Sequence, residues 1–139
     1  MKLSARNQLA GTVTKINEGA VNGIVTIEVN GSPVSATISM NAIKELGLEQ
    51  GKKAYAVIKA TEVMVGLGDH LALSARNQFP GTVTSVEKGA VNSIVKMSVL
   101  EGNTISATIS NAAVEELGLK EGAKALAVIK ATSVMVGID

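Results

Sequence analysis

Within Ile24-Val25-Thr26-Ile27-Glu28-Val29, apolar and polar residues alternate from Val25 onward. That period of two places Val25, Ile27 and Val29 on one face and predicts a half-buried strand. Gly11-Thr12-Val13-Thr14-Lys15-Ile16 is rich in β-branched residues and reads as a strand before it, with Asn17 to Asn22 as the turn between them. Val34-Ser35-Ala36-Thr37-Ile38 predicts a third strand. The period then changes. Ser39 is placed to cap a short helix over 40–46, in which Ile43 and Leu46 face the core, and Gly47 is placed to end it. After the turn Glu49-Gln50-Gly51-Lys52, Ala54 to Lys59 predicts a fourth strand. Thr61 to Val65 either extends it or forms a fifth.

The whole pattern then repeats. Leu3-Ser4-Ala5-Arg6-Asn7-Gln8 returns as Leu73-Ser74-Ala75-Arg76-Asn77-Gln78, and Ala56-Val57-Ile58-Lys59-Ala60-Thr61 as Ala127-Val128-Ile129-Lys130-Ala131-Thr132. One extra residue near Glu101-Gly102-Asn103, opposite Asn30-Gly31-Ser32-Pro33 in the first copy, points to a hairpin turn. The order β-β-β-α-β-β is that of a small OB-like barrel. The expected fold class is therefore mainly β: two OB-like five-stranded β-barrel domains, each with one short α-helix. The expected boundaries are 1–68 for the first domain, 69–72 for a linker and 73–139 for the second.

Domains of roughly 68 residues have little core volume and need a further source of stability. Cysteine is absent, which excludes disulfides, thiolate metal sites and cysteine nucleophiles. The one histidine, His70, lies in the linker, so no bare metal cation site is expected. Contact between modules or chains is left as the stabilising device, and abundant Ala, Val, Ile and Leu can supply it. A net charge of +1 gives no global field toward nucleic acid. No signal-peptide core and no run of about 20 apolar residues is present. The expectation is a soluble cytoplasmic protein without membrane partners.

Catalysis has little to rest on. Glu45, Glu49, Glu115 and Glu116 fall where solvated surface is ordinary. Ser4 with Lys59 lacks any nucleophile-elbow or SxxK pattern. Barrels that bind single strands stack bases on aromatic rings, yet the only aromatics, Tyr55 and Phe79, align with Leu126 and Leu9 and are not repeated.

A small anion fits better. Ser-Ala-Arg-Asn joins hydroxyl, guanidinium and amide donors without a carboxylate. Lys59 and Lys130 interrupt apolar strands, either to snorkel to solvent or to meet an anion in a cleft. Ser39 and Ser110 are ordinary helix caps or anion donors. Gly-Ala-Val-Asn is a plain turn or a nest of backbone amides.

These segments, followed in order by Gly-Thr-Val, Glu-Leu-Gly-Leu and Val-Ile-Lys-Ala, resemble the Mop (TOBE-like) domain of molybdate-binding proteins. The tandem arrangement is similar to a molbindin. The resemblance implies reversible binding of molybdate, with tungstate beside it, for intracellular molybdenum storage or homeostasis. It implies no catalytic cofactor and no enzyme activity. It also implies a homo-oligomer, a trimer with pseudo-hexameric domain arrangement. One implied class of oxyanion site uses the Ser-Ala-Arg-Asn segment of one domain and the Lys-Ala segment of its partner: Ser4, Ala5, Arg6, Lys59 and Ala60 with Ser39 nearby, and Ser74, Ala75, Arg76, Lys130 and Ala131 with Ser110. The other lies near a three-fold axis at Gly19, Ala20, Val21 and Asn22, or Gly89, Ala90, Val91 and Asn92. Two departures are visible. Thr61-Glu62 and Thr132-Ser133 stand where many relatives have proline and an aromatic, and Ala42 where some place a hydroxyl. The competing readings are an oxyanion sensor or carrier that delivers molybdate to a partner protein, and a nucleic-acid-binding barrel.

Overall fold

The structure is a computed structural model that describes residues 1–139. The first repeat contributes β1 (Asn7–Glu18), β2 (Asn22–Val29), β3 (Ser32–Ser39), α1 (Met40–Glu45), β4 (Lys53–Ile58), a 3-10 turn (Ala60–Glu62) and β5 (Met64–Gly66). The second contributes β6 (Asn77–Lys88), β7 (Asn92–Val99), β8 (Asn103–Ser110), α2 (Asn111–Leu117), β9 (Lys124–Ile129), a 3-10 turn (Ala131–Ser133) and β10 (Met135–Gly137).

β1 begins earlier than the sequence pattern predicts because it serves two partners. Asn7 to Thr12 pair with β4, and Thr12 to Glu18 pair with β2. Between them the register shifts at Val13/Lys15, a bulge that bends the strand and curls the sheet. Gly11 sits at this crossing. A Cβ there would collide with the Glu28 carbonyl oxygen and stand 2.7 Å from Ile27 Cγ2. The close backbone approach therefore requires glycine. Gly81 repeats it against Ser98 and Val99.

The β2–β3 hairpin turns through Asn30 (φ 48°) and Gly31 (φ 84°), two consecutive left-handed residues that suit the strand twist. The second copy absorbs its extra residue in Leu100, Glu101 and Gly102, all at positive φ. Asn30 Nδ2 donates to the Leu100 and Glu101 carbonyls at 3.2 and 2.8 Å, so the two hairpin tips touch. Ser39 caps α1, which ends at Glu45 with Leu46 as its C-cap, and Ser110 caps α2. Val25, Ile27 and Val29 are fully buried, as the alternation predicts.

Each five-stranded sheet takes its last strand from the other repeat. The strand orders are β10-β4-β1-β2-β3 and β5-β9-β6-β7-β8. Met135 pairs with Val57, and Met64 with Val128. Thr61–Val65 therefore does not extend β4; its end enters a fifth strand, β5, as the other alternative has it, but that strand joins the sheet of the other repeat. The 3-10 turn leads from β4 to β5, and β5 covers the open edge of β9. One buried cluster runs through both halves, from Val13 and Ile27 to Met97 and Ile129. A shared core gives each short repeat apolar contacts it could not make alone.

Candidate oxyanion-binding site

Pairing of Asn7 with Ile58 sets the residues before β1 beside those after β4. Ser4, Ala5, Arg6, Lys59 and Ala60 consequently line one recess of about 350 Å³, together with Leu3, Thr61 and Met135 of the second repeat. None of its lining residues is acidic. The chain's two ion pairs are Met1 ammonium with Asp139 and Lys88 with Glu115, so Arg6 and Lys59 have no carboxylate partner. Both are exposed, which keeps their desolvation small. The backbone N–H groups of Ala5, Arg6 and Ala60 donate to no protein acceptor. Glu62, the nearest carboxylate in sequence, accepts a hydrogen bond from Ser133 Oγ at 2.9 Å across the halves.

Arg6 and Ala60 also border a second recess of about 340 Å³ with Glu87, Ile94, Lys96, Ser106 and Thr108 of the other repeat. The two recesses share Arg6 and Ala60, and the second carries both Lys96 and Glu87 in its lining. In the second copy, pairing of Asn77 with Ile129 likewise sets Ser74-Ala75-Arg76 beside Lys130-Ala131. Arg76, however, lines a recess with Ser32, Gln78 and Glu101, and Ala131 is buried. Within this chain the Ser-Ala-Arg-Asn and Lys-Ala segments that adjoin belong to the same repeat. The other repeat supplies the rim at Met135 and the β7–β8 face.

The asparagine of this segment has a different duty from the one its donor chemistry suggests. Asn7 is 1% exposed. Its Nδ2 donates to the Ser106 carbonyl at 2.9 Å, and its Oδ1 accepts from the Ser106 N–H at 2.8 Å. Asn77 makes the same two bonds to Ser35 at 2.9 and 2.8 Å. Both amides are spent on joining the repeats. A polar residue running directly into a strand start was the available signal for this role.

The Gly19–Asn22 and Gly89–Asn92 turns project into solvent, with Val21 and Val91 at their tips 75% and 73% exposed. The N–H groups of Ala20, Val21, Ala90 and Val91 find no protein acceptor. Ser39 lies opposite Asn22 in the β2–β3 register, and Ser110 opposite Asn92. Their hydroxyls accept from Ala42 and Ala113 N–H at 3.0 and 3.1 Å, and neither serine lines the two recesses at Arg6. Phe79 is in the core, where no base can stack on it. Tyr55 donates to Asp139 Oδ2 at 2.8 Å. That hydrogen bond, then the Asp139 charge, raises the phenol pKa above its ordinary 10.0.

The TOBE domain family matches residues 3–65 and again 73–136. The molybdenum transport protein ModE of Herbaspirillum seropedicae is 42% identical over 142 residues, covering 100% of this chain and 52% of that protein. The chain thus spans about half the length of the ModE relatives it matches. A probable molybdenum-pterin-binding protein of Haemophilus influenzae is 60% identical over 68 residues, covering 48% of this chain and 99% of its own length. Among solved structures, the cytoplasmic molybdate-binding protein ModG, crystallised with molybdate bound, superposes with a TM-score of 0.96 at 42% identity over the full length of both chains. With two matching segments that together cover most of its length, the chain belongs to the TOBE domain family and carries the domain twice.

Proposed function

We propose that this protein binds molybdate reversibly, and tungstate with it, in the service of intracellular molybdenum storage or homeostasis. The observation that carries the reading is the recess of Ser4, Ala5, Arg6, Lys59 and Ala60: two unpaired cations, free backbone N–H groups and no carboxylate. A tetrahedral dianion there accepts hydrogen bonds at every oxygen. Hydrogen bonds to charged groups contribute about 1.5–3 kcal/mol each, so a few convergent donors reach micromolar affinity, about −8 kcal/mol. Against about 30 Å³ per water, the recess holds the anion with part of its hydration. Ser74, Ala75, Arg76, Lys130 and Ala131 are the second-copy counterparts. The free amides of the Gly-Ala-Val-Asn turns form the second class of site.

The full-length match to ModG supports a cytoplasmic molybdate binder. The oligomer proposed is a trimer in which the two domains, 1–68 and 73–139, alternate around a ring of six. Ser39 and Ser110 act through their helix caps, holding the turns in place.

Elemental analysis after equilibration with molybdate and gel filtration tests the proposal. Molybdenum co-eluting with an oligomer of about three chains is expected; a metal-free monomer would refute it. A sensor or carrier role has one observation behind it, the match to about half of the ModE proteins. A rate of molybdate release accelerated by a partner protein would distinguish it.

A further inference from the structure

The two Gly-Ala-Val-Asn turns have identical sequences but different supports. Both are tied to the following helix by one backbone bond: Met40 N–H to the Val21 carbonyl at 2.8 Å, and Asn111 N–H to the Val91 carbonyl at 2.9 Å. The second turn has three further bonds. Gly89 N–H donates to the Asn92 carbonyl at 2.9 Å. Asn111 Nδ2 donates to the Gly89 carbonyl at 2.9 Å. Ser93 Oγ, on a residue 1% exposed, donates to Asn111 Oδ1 at 2.5 Å. The first turn has none of these.

The difference rests on three coordinated residues. Gly23, Met40 and Ile43 stand in the first copy where Ser93, Asn111 and Val114 stand in the second. A Cβ on Gly23 would lie 2.7 Å from Ile43 Cδ1 and 3.0 Å from Met40 Sδ. A serine at this position in the first copy would push aside the ends of the Ile43 and Met40 side chains. Valine in place of isoleucine and asparagine in place of methionine open that room. The hydroxyl that fills it fixes the Asn111 amide through its oxygen, and the amide fixes the turn through its nitrogen. A side-chain relay anchored on a buried hydroxyl and bonded to the turn backbone narrows the geometries the turn can take.

We infer that Ser93 and Asn111 are positioning residues that make the Gly89–Asn92 turn the tighter of the two turn sites for a tetrahedral oxyanion. The inference rests on the reading above that the turns bind oxyanions. The Ala90 and Val91 N–H groups are held in place before the anion arrives, so less ordering is needed on binding. Asn111 Nδ2 also retains a hydrogen without a protein acceptor, a donor that Met40 lacks. The Gly19–Asn22 turn must order itself around the ligand. One donor and the ordering of a turn correspond to a difference of about threefold to tenfold in affinity.

Residue-resolved amide NMR of the full chain, titrated with molybdate, reads the two turns separately. In the native protein the Ala90 and Val91 signals should saturate at threefold to tenfold lower molybdate than those of Ala20 and Val21. The triple variant Ser93→Gly, Asn111→Met, Val114→Ile should bring the second turn to the affinity of the first. The reciprocal variant Gly23→Ser, Met40→Asn, Ile43→Val should tighten the first. A role confined to folding would move the melting temperature of the free protein and leave the order of saturation unchanged. Equal saturation of both turns in the native protein, or a reciprocal variant that folds and gains nothing, overturns the inference. Shifts at Ala5, Arg6 and Ala60 with silent turns also overturn it while leaving the proposed function intact. Shifts nowhere remove both.

Discussion

The side chain of Asn7 closes a two-point ring of hydrogen bonds on the backbone of Ser106, 99 positions along the chain. β8 is an edge strand of its sheet, and the ring satisfies an N–H and a carbonyl that an edge would otherwise leave open. Asn77 does the same for Ser35 on the opposite edge strand, β3. The residue after Arg6 thus fixes where Arg6 stands relative to the other repeat.

Replacing Asn7 by alanine leaves the Ser106 N–H and carbonyl without these two partners. Asn7→Ala should lower stability by about 1–3 kcal/mol, read as a reduced urea midpoint with an unchanged slope. Asn77→Ala should cost about as much. A loss below about 0.5 kcal/mol, the range of neutral surface changes, would show that the clamp is incidental.

Glycine at the β1 crossing leads to a second expectation. Gly11→Ala forces a methyl group against the Glu28 carbonyl and Ile27. The neighbour is backbone, so relief requires moving β2. A cost of about 1–3 kcal/mol is expected for such overpacking, and Gly81→Ala should behave alike. Thermal melts of the two variants check this, and unchanged midpoints would contradict it.

Strand exchange predicts an effect at a distance. Deleting residues 135–139 removes β10, which covers β4 in the other half. Amide hydrogen exchange should then accelerate at Ala54 to Ile58 while Ala125 to Ile129 stays protected by β5. Faster exchange confined to the second repeat would mean the strands are not exchanged in solution.

Lys59 is exposed and unpaired, so its removal should leave the free protein as stable as before. Lys59→Ala should weaken molybdate binding by about tenfold or more, the scale of a hydrogen bond to a charged donor. Titration calorimetry against molybdate measures it. Equal affinity would remove Lys59 from the site.

Much of one repeat could be read directly from residue pattern. The alternation at Val25, Ile27 and Val29, the Asn30-Gly31 turn and the Ser39 cap are local devices, and each appears where its chemistry places it. The exchange of β5 and β10 could not be read this way. Met64-Val65-Gly66 and Met135-Val136-Gly137 are the same tripeptide, so pairing within or across repeats presents identical side chains to the partner strand. Only the path of the chain after the 3-10 turn decides between them. At the site, Arg6 was legible as a donor in a segment without a carboxylate and Lys59 as a cation interrupting an apolar strand, and their meeting follows from β1–β4 register. Asn7 was not legible, because an amide that clamps backbone and one that binds an anion carry the same donors. The Ser93–Asn111 pair was visible only as two differences between the copies, and its meaning required seeing Ile43 and Met40 fill the space above Gly23.

In the proposed function an oxyanion sits between Arg6 and Lys59. Anomalous diffraction from crystals grown with molybdate locates the metal directly. A molybdenum peak is expected in the recess of Ser4, Ala5, Arg6, Lys59 and Ala60, within hydrogen-bonding reach of both cations. Crystals that take up molybdate elsewhere and leave this recess without a peak would contradict it.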